Sequence, residues 1–269
     1  MEYREQYQRY VAMVEETIEQ ILPQTEEECP SETRIPKRLC EAMRYSLLAG
    51  GKRVRPVLLL ATCEMLGGDV EQARVPAAAL EMIHTYSLIH DDLPGMDNDD
   101  YRRGRLTNHK VFGEGFAILA GDGLLNYAYE CILNNVLACG ENLEGHIRAA
   151  QEIARRAGVS GMVAGQSIDL LSEHHEPNEA TLRYIHTHKT ADLLTAPLLA
   201  AAYIAGADEK AISALATFGF CVGLAFQIDD DLLDVIGDSK DLGKQTGMDE
   251  QRGKMTWPGL VGVEAAQKK

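Results

Sequence analysis

Two runs of aspartate carry the strongest chemical signal in the chain. The first is His90-Asp91-Asp92-Leu93-Pro94-Gly95-Met96-Asp97-Asn98-Asp99-Asp100, with five aspartates in ten residues. Its approach is apolar (Leu80, Met82, Ile83, Leu88, Ile89), so it reads as the C-terminal end of a buried helix. The helix dipole is unfavourable for anions at that end, so carboxylates held there need cations, and Mg²⁺ is the candidate. His84 and Asp91 are seven residues apart and share a helix face. Pro94-Gly95 breaks the helix, so a loop must bring Asp97 back. Taken alone, this run is also compatible with a solvated acidic loop.

The second run is Gln227-Ile228-Asp229-Asp230-Asp231-Leu232-Leu233-Asp234, and here the helical pattern continues through it. Gln227, Asp230 and Asp234 line one face, where like charges at i, i+4 spacing destabilise a bare helix. Two carboxylate clusters, each ending an apolar helix, are hard to explain as solubilising charge. Cations come in short groups: Lys52, Arg53 and Arg55 behind Gly50-Gly51, Arg102-Arg103, Lys189-Thr190, and Lys240, Lys244 and Lys254 among glycines. Together with the carboxylates they point to a diphosphate held between Mg²⁺ and Lys/Arg. A P-loop or Rossmann fingerprint is absent. His186 with His188, and His174-His175, lack further partners at zinc spacing and are not expected to bind metal.

The elements that must position these groups read as helix almost throughout. Tyr3, Tyr7, Val11, Val14, Ile18 and Leu22 recur at helical spacing over 2–22, and Pro23 stops that segment before the acidic stretch Glu26 to Glu28. Leu39, Ala42, Met43, Leu47 and Leu48 form a second stripe. Further helices are expected over 54–66, 76–92 (opening near Pro76), 109–121, 122–138, 143–157, 160–171, 178–188, 190–206 and 209–235. Asp122-Gly123 could mark a turn, but strand signals are weak and Ala and Leu dominate the apolar positions. One all-α domain is the expectation.

Composition sets the outer bounds. The 269 residues carry 26 Lys plus Arg against 41 Asp plus Glu, a formal net charge of -15. Such a chain repels phosphate backbones, so nucleic acid is not the expected partner. The six cysteines show no C-x-x-C spacing, which argues against a zinc ribbon or redox motif. The most apolar stretch, Leu193 to Ala207, is too short for a membrane span. Residues 1–10 are polar, unlike a signal peptide, so a cytoplasmic location is expected.

These motifs, in this order and spacing across roughly residues 35–269, resemble the short-chain trans-prenyltransferases, the isoprenyl diphosphate synthases. The match covers Gly50 to Arg55, Asp91 to Arg103, Gly165-Gln166 with Asp169, His188-Lys189-Thr190, Phe226 to Asp234, and Lys244 with Lys254. The four residues between Asp92 and Asp97 resemble the bacterial farnesyl and plant-type geranylgeranyl branches. The resemblance implies an all-α, single-domain isoprenoid synthase bundle around a deep central cavity, and a homodimer. It implies Mg²⁺ binding by Asp91, Asp97 and Asp230, supported by Asp92 and Asp234. It places isopentenyl diphosphate at Lys52, Arg55, His84 and Arg103. Arg102, Lys189, Thr190, Gln227 and Lys244 would bind the allylic diphosphate, with Lys254 nearby. Lys189, Asp91 and Asp230 are thereby the expected catalytic residues. The chemistry would be ionisation of the allylic diphosphate, attack by isopentenyl diphosphate and loss of a proton, with released diphosphate as the base.

Tyr86 lies five residues before Asp91, about 7.5 Å deeper along the helix. In the family a bulky residue here limits the growing tail, and Tyr86 with Ser87 resembles the farnesyl pattern, so a C15 product is expected. A C20 synthase and a non-catalytic subunit on the same scaffold are the alternatives. Two features depart from the family. Leu106 stands where proline is usual, and the chain stops at Lys269, where the family continues for one or two more helices. The expectation is a truncated form, or final helices that are dispensable.

Overall fold

A computed structural model describes residues 2–23, 35–176, 178–237, 247, 249 and 252–268. The fold is all-α. The chain packs as two compact units, Met1–Ala150 and Gln151–Lys269. The acidic stretch at 26–28, Cys29, Lys240 and Lys244 lie outside the described residues.

The first unit holds α1 (Tyr3–Ile21), α2 (Lys37–Leu47), α3 (Val54–Met65), α4 (Val70–Asp91), α5 (Asn108–Phe112) and α6 (Glu114–Ala138). α4 packs against α6, α3, α1 and α2, and Ala77, Ala78, Leu80, Met82 and Ile83 are fully buried. This helix starts six residues before the expected Pro76. Asp69 caps it by accepting from the Glu71 N–H at 3.0 Å. Pro76 offers no N–H to the Gln72 carbonyl, which instead accepts from Asn135 Nδ2 at 3.5 Å.

Asp122-Gly123 is not a turn, because α6 runs unbroken through it. Its glycines serve packing instead. A Cβ on Gly121 would lie 2.1 Å from His90 Nε2, and one on Gly123 would lie 3.1 Å from Met43 Sδ. The break comes at Gly113, whose φ of 87° suits glycine.

Among the described residues, sheet is confined to a hairpin of β1 (Tyr101–Arg102) and β2 (Arg105–Leu106), with Tyr101 opposite Leu106. Its two turn residues, Arg103 (φ 54°) and Gly104 (φ 74°), both have positive φ, as tight hairpins require. The Leu106 carbonyl accepts from the Tyr45 hydroxyl at 2.8 Å.

α7 (Leu143–Ala157) leads to α8 (Met162–Ser172), α9 (Glu179–Ile185), a π-helical segment (His186–Ala191), α10 (Asp192–Ile204) and α11 (Glu209–Ile236). After these come α12 (Trp257–Val261) and α13 (Val263–Ala266). The helix break expected near residue 189 is absent, since the chain winds from α9 through the π segment into α10. The apolar run from Leu193 is explained by α10, which is buried on every face as far as Ala202. Among the described residues, α11 is the one helix long and apolar enough to cross a membrane. It packs along α10 and carries Asp229, Asp230, Asp231 and Asp234, as a bundle helix would.

Candidate active site

In the first unit, a turn of positive-φ residues (Gly50, Gly51, Arg53) delivers the chain into α3. Arg53 is 2% exposed and wholly engaged. Its Nε donates to Glu15 Oε1 (2.6 Å), Nη1 to Glu81 Oε1 (2.7 Å) and Nη2 to the Leu47 carbonyl (2.7 Å). It is therefore a structural cation, and sequence pattern alone did not separate it from Lys52 and Arg55. Glu81, equally buried, also faces Arg103 Nη2 at 4.0 Å. Arg103 donates through Nη1 to the Gly50 carbonyl and lies across Gly51, where a Cβ would sit 2.8 Å from its Cζ.

Arg55 sits in the same neighbourhood with a buried Nε that has no hydrogen-bond partner. Burial pulls its pKa down to about 10, with Arg103 adding to the fall and Glu81 opposing it. Burial, then Arg55, Arg103, Arg102 and Arg53, hold His84 well below the usual imidazole range, so it is neutral at pH 7. Lys52 is exposed, and its carbonyl accepts from the Tyr7 hydroxyl. Arg55 and Arg103 thus sit beside a neutral His84 with incomplete internal neutralisation, an arrangement that favours an anion.

Asp91 ends α4, and its carbonyl accepts from the Asp97 N–H at 2.8 Å, so the loop does return Asp97 to the helix end. Asp92 is 3% exposed and bound to Arg102. Arg102 Nε donates to Oδ1 and Oδ2 at 2.8 and 2.9 Å, and Nη2 lies 2.7 Å from Oδ1. Burial raises the Asp92 carboxyl and Arg102 opposes the rise. Asp92 is therefore held as Arg102's counter-ion, a role its place in the motif did not reveal. The hairpin turn sends the adjacent Arg102 and Arg103 to different carboxylates, Asp92 and Glu81.

Tyr86 is 7% exposed, with its ring edge-on to His90 at 5.7 Å. Burial pushes its phenol up to about 12, with Tyr129 on α6 and Asp91 adding to the rise. Ser87 Oγ donates to the His84 carbonyl at 2.9 Å.

In the second unit, the π segment places Lys189 and Thr190. Lys189 Nζ donates to Asp169 Oδ2 at 2.5 Å, and Lys254 Nζ lies 4.0 Å from the same oxygen. Gly165 lets α8 meet the π segment, since a Cβ there would lie 2.1 Å from the Lys189 nitrogen. Thr190 Oγ1 donates to Gln227 Oε1 at 2.6 Å. Asp230 is half-buried. Asp234 is 6% exposed and accepts from the Asp249 N–H at 3.1 Å. Burial, with Asp234 beside it, pushes the Asp249 carboxyl up to about 6. His186 packs against Trp257 and Asp231 rather than standing as a ligand.

Among the described residues, no three His, Cys, Asp or Glu side chains converge as a ready-made metal cage. The donors at both motifs are carboxylate oxygens, the hard ligands that Mg²⁺ takes. Mg²⁺ commonly uses one or two carboxylates, water and substrate phosphates, so this donor set fits it.

Residues 36–269 match the family profile described as Polyprenyl synthetase. The chain belongs to the polyprenyl synthetase family. The chain is 50% identical over 239 residues to geranylgeranyl pyrophosphate synthase 3, chloroplastic, of Arabidopsis thaliana, covering 87% of this chain and 66% of that one. It is 49% identical to the dimethylallyltranstransferase of Fischerella ambigua, covering 86% of this chain and 67% of that one. The chain spans about two thirds of the length of the curated relatives it matches, 65% in another Arabidopsis protein. Its fold is similar to the geranyltransferase of Helicobacter pylori complexed with magnesium and isoprenyl diphosphate. The TM-score is 0.80 at 31% identity, over 98% of this chain and 86% of that one. An FPP/GFPP synthase from Zymomonas mobilis is comparably similar, with a TM-score of 0.79 at 35% identity over 97% and 87% of the two chains.

Proposed function

We propose that this member of the polyprenyl synthetase family is a Mg²⁺-dependent prenyltransferase that joins isopentenyl diphosphate to dimethylallyl or geranyl diphosphate. The observation that carries the proposal is the cation cluster of the first unit, where a buried Arg55 nitrogen lacks a partner and His84 is kept neutral. Lys52, Arg55 and Arg103 neutralise the diphosphate of isopentenyl diphosphate, while His84 serves as an uncharged hydrogen-bonding group. Lys189, Lys254, Thr190 and Gln227 of the second unit hold the allylic diphosphate, and Arg102 and Lys244 are assigned to it by resemblance alone. In the first unit Asp91 and Asp97, with Asp92 supporting, and in the second unit Asp230, with Asp234 supporting, would be the Mg²⁺ ligands by resemblance. Bound Mg²⁺ neutralises charge on the departing diphosphate. Lys189 contributes to the same task, held in place by Asp169. No side chain is needed as base, because the departing diphosphate can take the proton.

The proposed product is farnesyl diphosphate (C15), supported by Tyr86, whose bulk is buried about one and a half α4 turns before Asp91. A C20 product is the second proposal, favoured by the names of relatives such as the Arabidopsis synthase above. A homodimer is proposed on the same resemblance, and α6 leaves Ile118, Leu119, Leu133 and Leu137 exposed. The test is product analysis with isopentenyl diphosphate and either allylic substrate, with Mg²⁺ and with a chelator. A metal-dependent C15 product is expected, a C20 product would select the second proposal, and no product would overturn both.

A further inference from the structure

Hydrogen bonds in the second unit connect the Thr190 side chain to the backbone of Trp257. Thr190 donates to Gln227 Oε1 (2.6 Å), and Gln227 Nε2 donates to Asp231 Oδ1 (3.0 Å). The Trp257 N–H donates to Asp231 Oδ2 (3.0 Å). The Trp257 indole N–H donates to His186 Nδ1 (3.2 Å). With Nδ1 accepting, the neutral ring carries its proton on Nε2, which faces Asp231 Oδ2 at 3.4 Å. Asp231, His186 and Trp257 are each no more than 3% exposed.

A buried carboxylate needs donors on both oxygens. Asp231 has them from Gln227 on Oδ1 and the Trp257 backbone on Oδ2, both within the protein, with His186 Nε2 in contact at 3.4 Å. Asp230, its neighbour in the same motif, is only half-buried. The carboxamide of Gln227 has two orientations of nearly equal shape. Asp231 accepts only, so it selects the one with nitrogen toward itself and oxygen toward Thr190. That choice decides which atoms Gln227 and Thr190 can offer to an anion. The second hydrogen on Gln227 Nε2 can be donated, and Thr190 can turn its hydroxyl to a phosphate oxygen. With the amide reversed, its oxygen would confront Asp231 and its nitrogen would compete with the Thr190 hydroxyl.

We propose that Asp231 is a positioning residue, which orients Gln227 and through it Thr190 for a diphosphate and is itself no metal ligand. The proposal rests on the reading that Thr190 and Gln227 hold the allylic diphosphate. The experiment is calorimetric titration of the full chain with inorganic pyrophosphate and Mg²⁺. It compares the parent chain, Asp231→Asn, Gln227→Leu and the double variant.

Asp231→Asn should weaken pyrophosphate about tenfold, the scale of one misaligned charge-assisted hydrogen bond. The same change made on Gln227→Leu should cost less than about twofold, because the group through which Asp231 acts is gone. The Mg²⁺ concentration giving half-maximal binding should be unchanged in Asp231→Asn. Equal weakening in both backgrounds, no weakening, or a raised Mg²⁺ requirement would overturn the proposal while leaving the diphosphate site standing. Failure of the parent chain to bind pyrophosphate would overturn the site itself, and the proposal with it. Should Asp231→Asn not fold, His186→Asn loosens the same carboxylate without removing it. It should give a smaller loss that likewise disappears on Gln227→Leu, and a loss that persists there would count against the proposal. Trp257, the chain's single tryptophan, supplies a second readout. Pyrophosphate should shift its fluorescence in the parent chain and not in Gln227→Leu, and a shift of equal size in both would overturn the coupling.

Discussion

Arg53 Nη1 donates to Glu81 Oε1 at 2.7 Å with both side chains almost wholly out of water. Removing one partner of such a pair leaves a buried charge uncompensated, at a cost of roughly 3 to 5 kcal/mol. Glu81→Gln should therefore lower stability by about that amount in chemical denaturation. Glu15→Gln removes a half-exposed partner and should cost about 1 kcal/mol. Equal losses would show that burial of the pair is not what matters.

Gly165 and Gly121 both sit where a methyl group would meet an atom at 2.1 Å, but the obstacles differ. At Gly121 it is the His90 ring, which can rotate away and give up its 3.1 Å contact with the Ile118 carbonyl. At Gly165 it is the Lys189 backbone, which has no rotamer to change. Gly121→Ala should cost about 1 kcal/mol, the scale of one hydrogen bond. Gly165→Ala should cost roughly 3 kcal/mol or more, from overpacking. Thermal melts rank the two, and activity should fall further in Gly165→Ala because Lys189 moves with its backbone.

Tyr86→Ala removes a buried ring from α4 between Asp91 and the body of the first unit. If that ring ends the tail's path, the variant should make products longer than the parent chain's. Chromatography of the hydrolysed products decides, and an unchanged chain length would remove Tyr86 from the specificity argument.

His84 gives a pH dependence of definite sign. Its folded-state pKa is depressed, so below about pH 6.5 the unfolded chain binds a proton that the folded chain resists. Stability from this residue is complete above pH 6.5 and declines as pH falls beneath it. His84→Gln should flatten that part of the curve. Urea midpoints between pH 5 and pH 8 test this, and parallel curves for the two proteins would refute it.

Cys63 is buried, and burial pushes its thiol up to about 11, with Asp69 and Glu64 nearby adding to the rise. Cys221 is exposed. Since the thiolate reacts, iodoacetamide at pH 8 should label Cys221 first and reach Cys63 only with unfolding. Mass spectrometry of the digested protein reads the order, and early labelling of Cys63 would show that its cover opens readily.

Much of the local structure was legible because its causes are local. Helical spacing located α1, α7 and α11 to within a residue or two, and Pro94-Gly95 marked the end of α4. The errors fell where a distant partner overrules a local signal. Pro76 looked like a helix start, but Asn135 takes up the carbonyl it leaves unbonded. Asp122-Gly123 could have been a turn, but Gly123 and the neighbouring Gly121 admit Met43 and His90 within one helix. The π segment was invisible because no residue type announces one extra residue in a helical turn.

The candidate site divides the same way. The order and spacing of the aspartate, lysine and arginine motifs are properties of the chain, and they sufficed for the family and the all-α class. Which of two adjacent aspartates is buried against a protein partner is a property of packing. Asp91 and Asp92 are equivalent in sequence, yet burial and Arg102 make Asp92 a counter-ion. Asp230 and Asp231 are likewise equivalent until Trp257, His186 and Gln227 close around Asp231. Arg53 differs from Arg55 because Glu15, Glu81 and the Leu47 carbonyl all reach it. Charge and spacing are written along the chain, whereas desolvation and the choice of hydrogen-bond partner depend on neighbours that folding brings from far away.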